Sequence, residues 1–241
     1  GTVVNGGTLA CQTNMGANPT EFSGSGTVRL GSAGYSMRLN SNAQFGEAFT
    51  GRLEIAPGAT VTAFNSSTFS NSVCELNVAS GAYFSMNGAA MRFGGLNGSG
   101  IVQNTAGGTY APAALTIGAN NASGSFSGQI NSGSPVNGAI SLTKIGSGTQ
   151  ILSGVCSYIG PTVISNGTLL VNGSLAAASA VSVEPNAILG GTGAVNGAVT
   201  ARGGIAPGGD RVGSIATGSQ FWREGGRLLC DVASAINSAM R

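Results

Sequence analysis

The chain has 241 residues, 42 of them glycine, with 7% charged residues, 6% aromatics, no histidine and a formal net charge of +2. Against the roughly 25% charge of an ordinary globular protein, such a surface must be covered by Ser, Thr, Asn, Gln and backbone, and its dispersed arginines give nucleic acid no basic tract to bind. Glycine at this level without a strict Gly-X-Y period, and with Val, Ile, Leu and Phe at near-alternate positions, excludes collagen and a flexible linker and predicts a packed core throughout.

In chain order, the first phrase is Val4 to Leu9, a short β-rich run broken by Asn5-Gly6-Gly7. Leu53 to Ala63 is answered by Leu76 to Met86, 23 residues later, and Val181 to Gly190 repeats the scheme of strand, turn and strand. Gly118 to Gly138, rich in Asn, Ser and Gly, reads as a longer loop or irregular coil. From Ile140 to Gly208 the grammar is densest: Thr162 to Ser165 ends at Asn166-Gly167, and Thr168 to Val171 ends at Asn172-Gly173. Asn-Gly tolerates positive φ and marks tight corners. An antiparallel sandwich or barrel uses the same corners, but the spacing of like phrases predicts stacked coils of about twenty residues, each strand too short to bury its own face. The expected fold is an all-β, right-handed, single-stranded parallel β-helix of about twelve rungs, roughly 55 to 60 Å long at ~4.8 Å per rung.

The solenoid is expected over 1–218, with 219–241 as a C-terminal cap or docking segment. That segment holds the sole Trp, and Leu229, Val232, Ile236 and Met240 recur at helical steps, although 227–232 also reads as a final strand. Phe221, Trp222, Leu229, Val232 and Ile236 are the candidate capping residues for an open end that exposes backbone and core.

Ile140 to Gly154 followed by Tyr158 to Asn172 resembles the autotransporter-associated β-strand repeat. Leu142, Thr143, Lys144, Gly146, Gly148, Thr149, Leu152, Ser153, Gly154, Tyr158, Gly160, Thr162, Gly167, Thr168 and Leu169 match that pattern in order, and Gly190 to Gly208 resembles its usual sequel. Cys156-Ser157-Tyr158 stands where the family usually has Asn-Thr-Tyr. The resemblance implies a β-helical passenger of a secreted or surface-exposed bacterial protein, serving mostly as a stalk. No series of amphipathic strands follows Gly208 as a translocator barrel would require, and no run of eighteen apolar residues spans a bilayer. A start at Gly1-Thr2-Val3, already in coil grammar, reads as processed or cut from something longer.

No catalytic, cofactor or metal residues are assigned, and the chain is expected not to be an enzyme. Glu54 and Glu75, 21 residues apart, are the one carboxylate pair whose strands could stack as a glycosidase pair would need. Gly190-Gly191-Thr192-Gly193 and the glycines at 203–209 lack the Lys-Ser/Thr of a phosphate loop and read as corners. Lys144, the only lysine, is expected to be structural. Tyr35, Tyr83, Tyr110 and Phe126 are candidate contacts for a surface glycan or host ligand.

Cys11, Cys74, Cys156 and Cys230 are separated by 63, 82 and 74 residues, several rungs each, beyond the roughly 7 Å Cα span of a disulfide. In an unbroken solenoid they are therefore either buried or candidates for intersubunit disulfides, Cys11 and Cys230 head to tail, Cys74 and Cys156 laterally, and only a fold that bends back on itself pairs them within the chain. The functional expectation is a structural subunit of an extracellular bacterial filament, sheath or surface layer, self-associating into a homopolymer by β-helix stacking. The alternative is a monomeric stalk or adhesin passenger segment of a larger surface protein. Both place the chain extracellularly or at the cell surface.

Overall fold

A computed structural model describes residues 1–12, 20–39, 43–63, 68–105, 111–132, 138–209 and 211–230, and the structural statements below concern these. Glycine and Asn-Gly corners cut the chain into strands of two to five residues, which pair only with strands of neighbouring coils. Every pairing is parallel, so the chain is a β-solenoid. One face carries eleven strands, from Thr8–Cys11 to Arg227–Leu228, giving ten turns from first to last. A second face runs from Ser36–Leu39 to Gln129–Ser132 and is continued by the four strands from Val155–Cys156 to Ala216–Thr217, with Ser157 N donating to Ile130 O at the junction. The third begins with Thr2–Val3, Thr20–Ser23 and Ala43–Gln44, and resumes as seven strands from Ala90–Arg92 to Gln220–Trp222. Phe45 N to Thr68 O and Arg92 N to Phe69 O bridge the interval.

The count of coils is slightly below the expected twelve because coil length varies. Register partners lie as close as Ile188 and Gly204 and as far apart as Gly98 and Phe126. Extra residues go into corners, since the strands must keep alternation to bury one side. Gly118 to Gly138, expected as a longer loop or an irregular coil, contains the regular strands Gly124–Phe126 and Gln129–Ser132. Among its described residues the irregular part is the 3₁₀ turn Ala119–Asn121, entered through Gly118 at φ 94.

The core is a set of vertical columns, because equivalent residues of successive coils point inward. On the eleven-strand face Leu9, Val28, Leu53, Leu76 and Leu96 stack in register, and the column resumes through Gln150, Leu169, Leu189, Ile205 and Leu228. Toward the N-terminal end the interior is aromatic: Phe22 stacks on Phe45 at 4.5 Å, Phe45 on Phe69 at 5.3 Å, and Phe69 meets Phe93 at 4.9 Å. Each such pair contributes about 0.5–1.5 kcal/mol beyond its area burial.

One corner is a column of glycines for reasons of space. A Cβ on Gly128, Gly154, Gly173 or Gly193 would overlap the carbonyl oxygen of the glycine one coil below, namely Gly100, Gly128, Gly154 and Gly173 in turn. Backbone touches backbone along this edge, and no side chain fits.

The polypeptide does not change architecture at 218/219. Ala216–Thr217, Gln220–Trp222 and Arg227–Leu228 each pair in parallel with the coil beneath, so residues up to 228 form the last described rung. Val232 and Ile236 lie outside the described residues.

Candidate functional site

Lys144 is completely buried, set between Ile117 and Ile164 in its column. Its stem fills the core while Nζ reaches a corner and donates to the carbonyl oxygens of Ile145 at 2.7 Å, Gly146 at 2.8 Å and Asn166 at 3.3 Å. Burial pulls its pKa down to about 8. The lysine thus ties the Gly146 corner to the Asn166-Gly167 corner of the next coil by donating to carbonyls of both. A second tie lies at the other end of the same face, where Tyr158 Oη and Thr162 Oγ1 are 2.6 Å apart and Thr162 Oγ1 and Ser179 Oγ 2.9 Å apart, all buried. Burial raises the Tyr158 pKa far above its usual value, so the phenol stays protonated.

Gln150 makes a third tie, which alternation alone does not announce. It points inward, and the strand below contributes Gly124 at the same register. The amide reaches past that gap: Nε2 donates to Leu96 O at 2.8 Å and Oε1 accepts from Leu96 N at 3.1 Å. The pairing of a glycine with a buried Gln one coil later is a signal readable only once the register is known.

Outside, the N-terminal half of the eleven-strand face carries a ladder of ions. Arg29 lies 3.2 Å from Glu54, and Arg52 lies 3.3 Å from Glu75. Glu54 and Glu75 sit on adjacent strands, but each faces an arginine one strand below, which engages both carboxylates in ion pairs. Such exposed pairs contribute about 0–1 kcal/mol.

Of the four thiols, Cys74 and Cys156 are in the core. Burial raises their pKa to about 12, opposed by a Ser72 contact at 3.1 Å, and to about 11. A neighbouring molecule reaches neither thiol without opening a coil. Cys11, half-buried on the first strand of the long face, and exposed Cys230, just past its last strand, stand at opposite ends. Tyr35 and Tyr83 are exposed, Phe126 is wholly buried in the core and so presents no ring to a ligand, and Tyr110 lies outside the described residues. On the last rung, Trp222 aligns with inward-facing Ala201 and Leu228 with inward-facing Ile205, yet they remain 43% and 56% exposed. Phe221, 51% exposed, aligns with outward-facing Thr200. These are core positions that the described residues leave partly uncovered. Leu229 lies over Gly204 on the outer face.

Among the described residues no helix is long and apolar enough to cross a membrane, and no cluster of three metal-ligating side chains occurs. Residues 142–171 match the passenger-associated-transport-repeat family. The match begins in the strand Ile140–Lys144 and ends in Gly167–Val171, taking in the corner lysine and the Tyr158–Thr162 pair. No curated protein matches the chain.

Proposed function

We propose that the chain is a structural passenger segment, a β-solenoid stalk that is exported and displayed at or beyond the bacterial cell surface. The observation that carries this reading is the coincidence of the repeat match with coils of an unbroken solenoid, where the matched residues serve as corner, core and inter-coil tie. A repeat used in this way adds length, and length is what a stalk supplies. The columns run through the matched coils into those on either side, so the segment behaves as one rod.

The test is export. Placed between a secretory signal and an outer-membrane translocator barrel, residues 1–241 are expected to reach the surface of a bacterial host, with an epitope at residue 1 open to added protease while the described coils resist it. Retention as periplasmic aggregate, with the barrel inserted, overturns the reading.

A second reading, a self-assembling filament subunit, is favoured by the exposed core positions Trp222 and Leu228 on the last described rung. A head-to-tail contact that buries them propagates without closing. Sedimentation of the purified chain separates the two: a single species across a hundredfold concentration range supports the stalk, and growth of long particles supports the filament.

A further inference from the structure

Two neighbouring corners share the pair Asn-Gly, and the asparagine is exposed in both, yet Asn166-Gly167 and Asn172-Gly173 are held differently. At the second, Gly173 N donates to Leu152 O at 3.0 Å and Asn172 Oδ1 accepts from Thr192 N at 3.2 Å, so other coils hold both main chain and side chain. At the first, Gly167 N donates at 2.7 Å to Oδ1 of the asparagine before it. Oδ1 is bonded to Cγ at ~1.2 Å, so the nitrogen lies within about 4 Å of Cγ. A small turn of the exposed side chain closes this to the ~3–3.5 Å from which a bond forms. Because the N–H is directed at the side-chain carbonyl, loss of its proton leaves the electron pair directed there too.

Lys144 supplies the second component. Its Nζ donates at 3.3 Å to Asn166 O, the carbonyl of the same peptide unit whose nitrogen is Gly167 N. When that N–H is deprotonated, the negative charge is shared between nitrogen and this oxygen. An ammonium fixed beside the oxygen, in a site shielded from water, stabilises the charge as an oxyanion hole does.

We infer that Asn166 is a self-modification site, at which the folded coil converts asparagine to isoaspartate and aspartate through a succinimide. Hydroxide takes the Gly167 amide proton and the nitrogen attacks Asn166 Cγ. The new N–Cγ bond forms, the Cγ–Nδ2 bond breaks, and Nδ2 takes a proton from water and leaves as ammonia. Water then opens the ring, at Cγ to give aspartate, or at the Asn166 main-chain carbonyl carbon to give isoaspartate. Lys144, already on that carbonyl oxygen, polarises it and directs water there, and the carboxylate released lies beside its ammonium. Isoaspartate lengthens the main chain by one carbon at a corner where even a Cβ on Gly167 would overlap Gly146 O. The modification therefore loosens the joint between these coils after the chain has folded.

The test incubates the full chain at neutral pH, follows deamidation of each asparagine by peptide mass, and tags isoaspartate with an isoaspartyl methyltransferase. In the folded chain Asn166 is expected to convert at least tenfold faster than Asn172, with isoaspartate as the larger product, and in urea the two rates should agree within threefold. Lys144→Met, its coils verified by circular dichroism, is expected to slow Asn166 at least threefold and leave Asn172 unchanged. Equal rates in the folded chain, a tenfold difference that persists in urea, or aspartate without isoaspartate overturns the proposal, and these comparisons need only the unaltered chain. An Asn166 rate indifferent to Lys144→Met in the folded variant overturns it as well.

Discussion

Gly173→Ala and Gly34→Ala add the same methyl group to two corners for which the structure gives opposite reasons to hold glycine. At Gly34 the φ of 78 lies in the left-handed region and nothing comes within 4 Å of the added carbon, so the cost is conformational alone, about 1–2 kcal/mol. At Gly173 the added carbon would overlap Gly154 O and lie 2.6 Å from Ser153 O and 2.7 Å from Gly154 C. The backbone must move outward, against Gly173 N to Leu152 O, Ser174 N to Gly154 O and Ala194 N to Gly173 O. Two or three of these bonds at about 1 kcal/mol each, with overpacking strain of about 1–3 kcal/mol, give a loss of about 3–6 kcal/mol. Urea denaturation is expected to show this as a midpoint shift at least twice that of Gly34→Ala. Hydrogen exchange should concentrate the loss in the coils containing Gly154, Gly173 and Gly193. A Gly173→Ala protein no less stable than Gly34→Ala would refute the backbone-on-backbone corner.

Gln150→Leu leaves Leu96 N and O without their amide partner inside the core, and thermal and urea unfolding should register a loss of about 2–4 kcal/mol. Lys144→Met keeps the buried stem but removes the ammonium. Because the folded pKa of Lys144, about 8, lies below the ~10.4 of an unfolded lysine, the unfolded chain holds the proton more tightly between these values. Wild-type stability relative to Lys144→Met should therefore rise with pH from about 8 to about 10.5, and a flat difference contradicts the buried placement. Cys74 and Cys156 act in the opposite sense in both proteins. Their folded pKa values of about 12 and 11 lie above that of an unfolded thiol, so their contribution is lost as pH climbs above about 8.5, and Cys156→Ala should lessen the alkaline fall. Arg29→Ala should change stability by less than about 1 kcal/mol, as double-mutant cycles with Glu54→Ala would confirm.

Architecture was legible because it depends on repetition. The 23-residue echo between Leu53 to Ala63 and Leu76 to Met86 is the register itself, since Leu53 pairs with Leu76. The repeat phrase around Leu142 to Val171 likewise fixes a real coil, as Thr149 pairs with Thr168. Less legible was anything that depends on which residues two coils bring together. Gln150 is an unremarkable polar residue until Gly124 is known to lie beneath it. The Glu54 and Glu75 carboxylates looked like a pair by spacing, but a two-residue offset in register gives each an arginine instead. Gly118 to Gly138 read as a longer loop or an irregular coil by composition, and two strands run through it because parallel pairing with neighbouring coils overrides weak local β-propensity.

The central claim is that position along the molecule is set by coil number and not by separation in sequence. Spin labels on outward positions of the eleven-strand face measure it directly, with Thr27→Cys paired in turn with Arg52→Cys, Thr168→Cys and Arg227→Cys in the Cys11→Ser, Cys230→Ser background. These partners lie one, six and nine strands above Thr27. At ~4.8 Å per coil the backbone separations are about 5, 29 and 43 Å, and the label distances should rise along that line. A Thr27 to Arg227 distance equal to or shorter than that from Thr27 to Thr168 would contradict the solenoid.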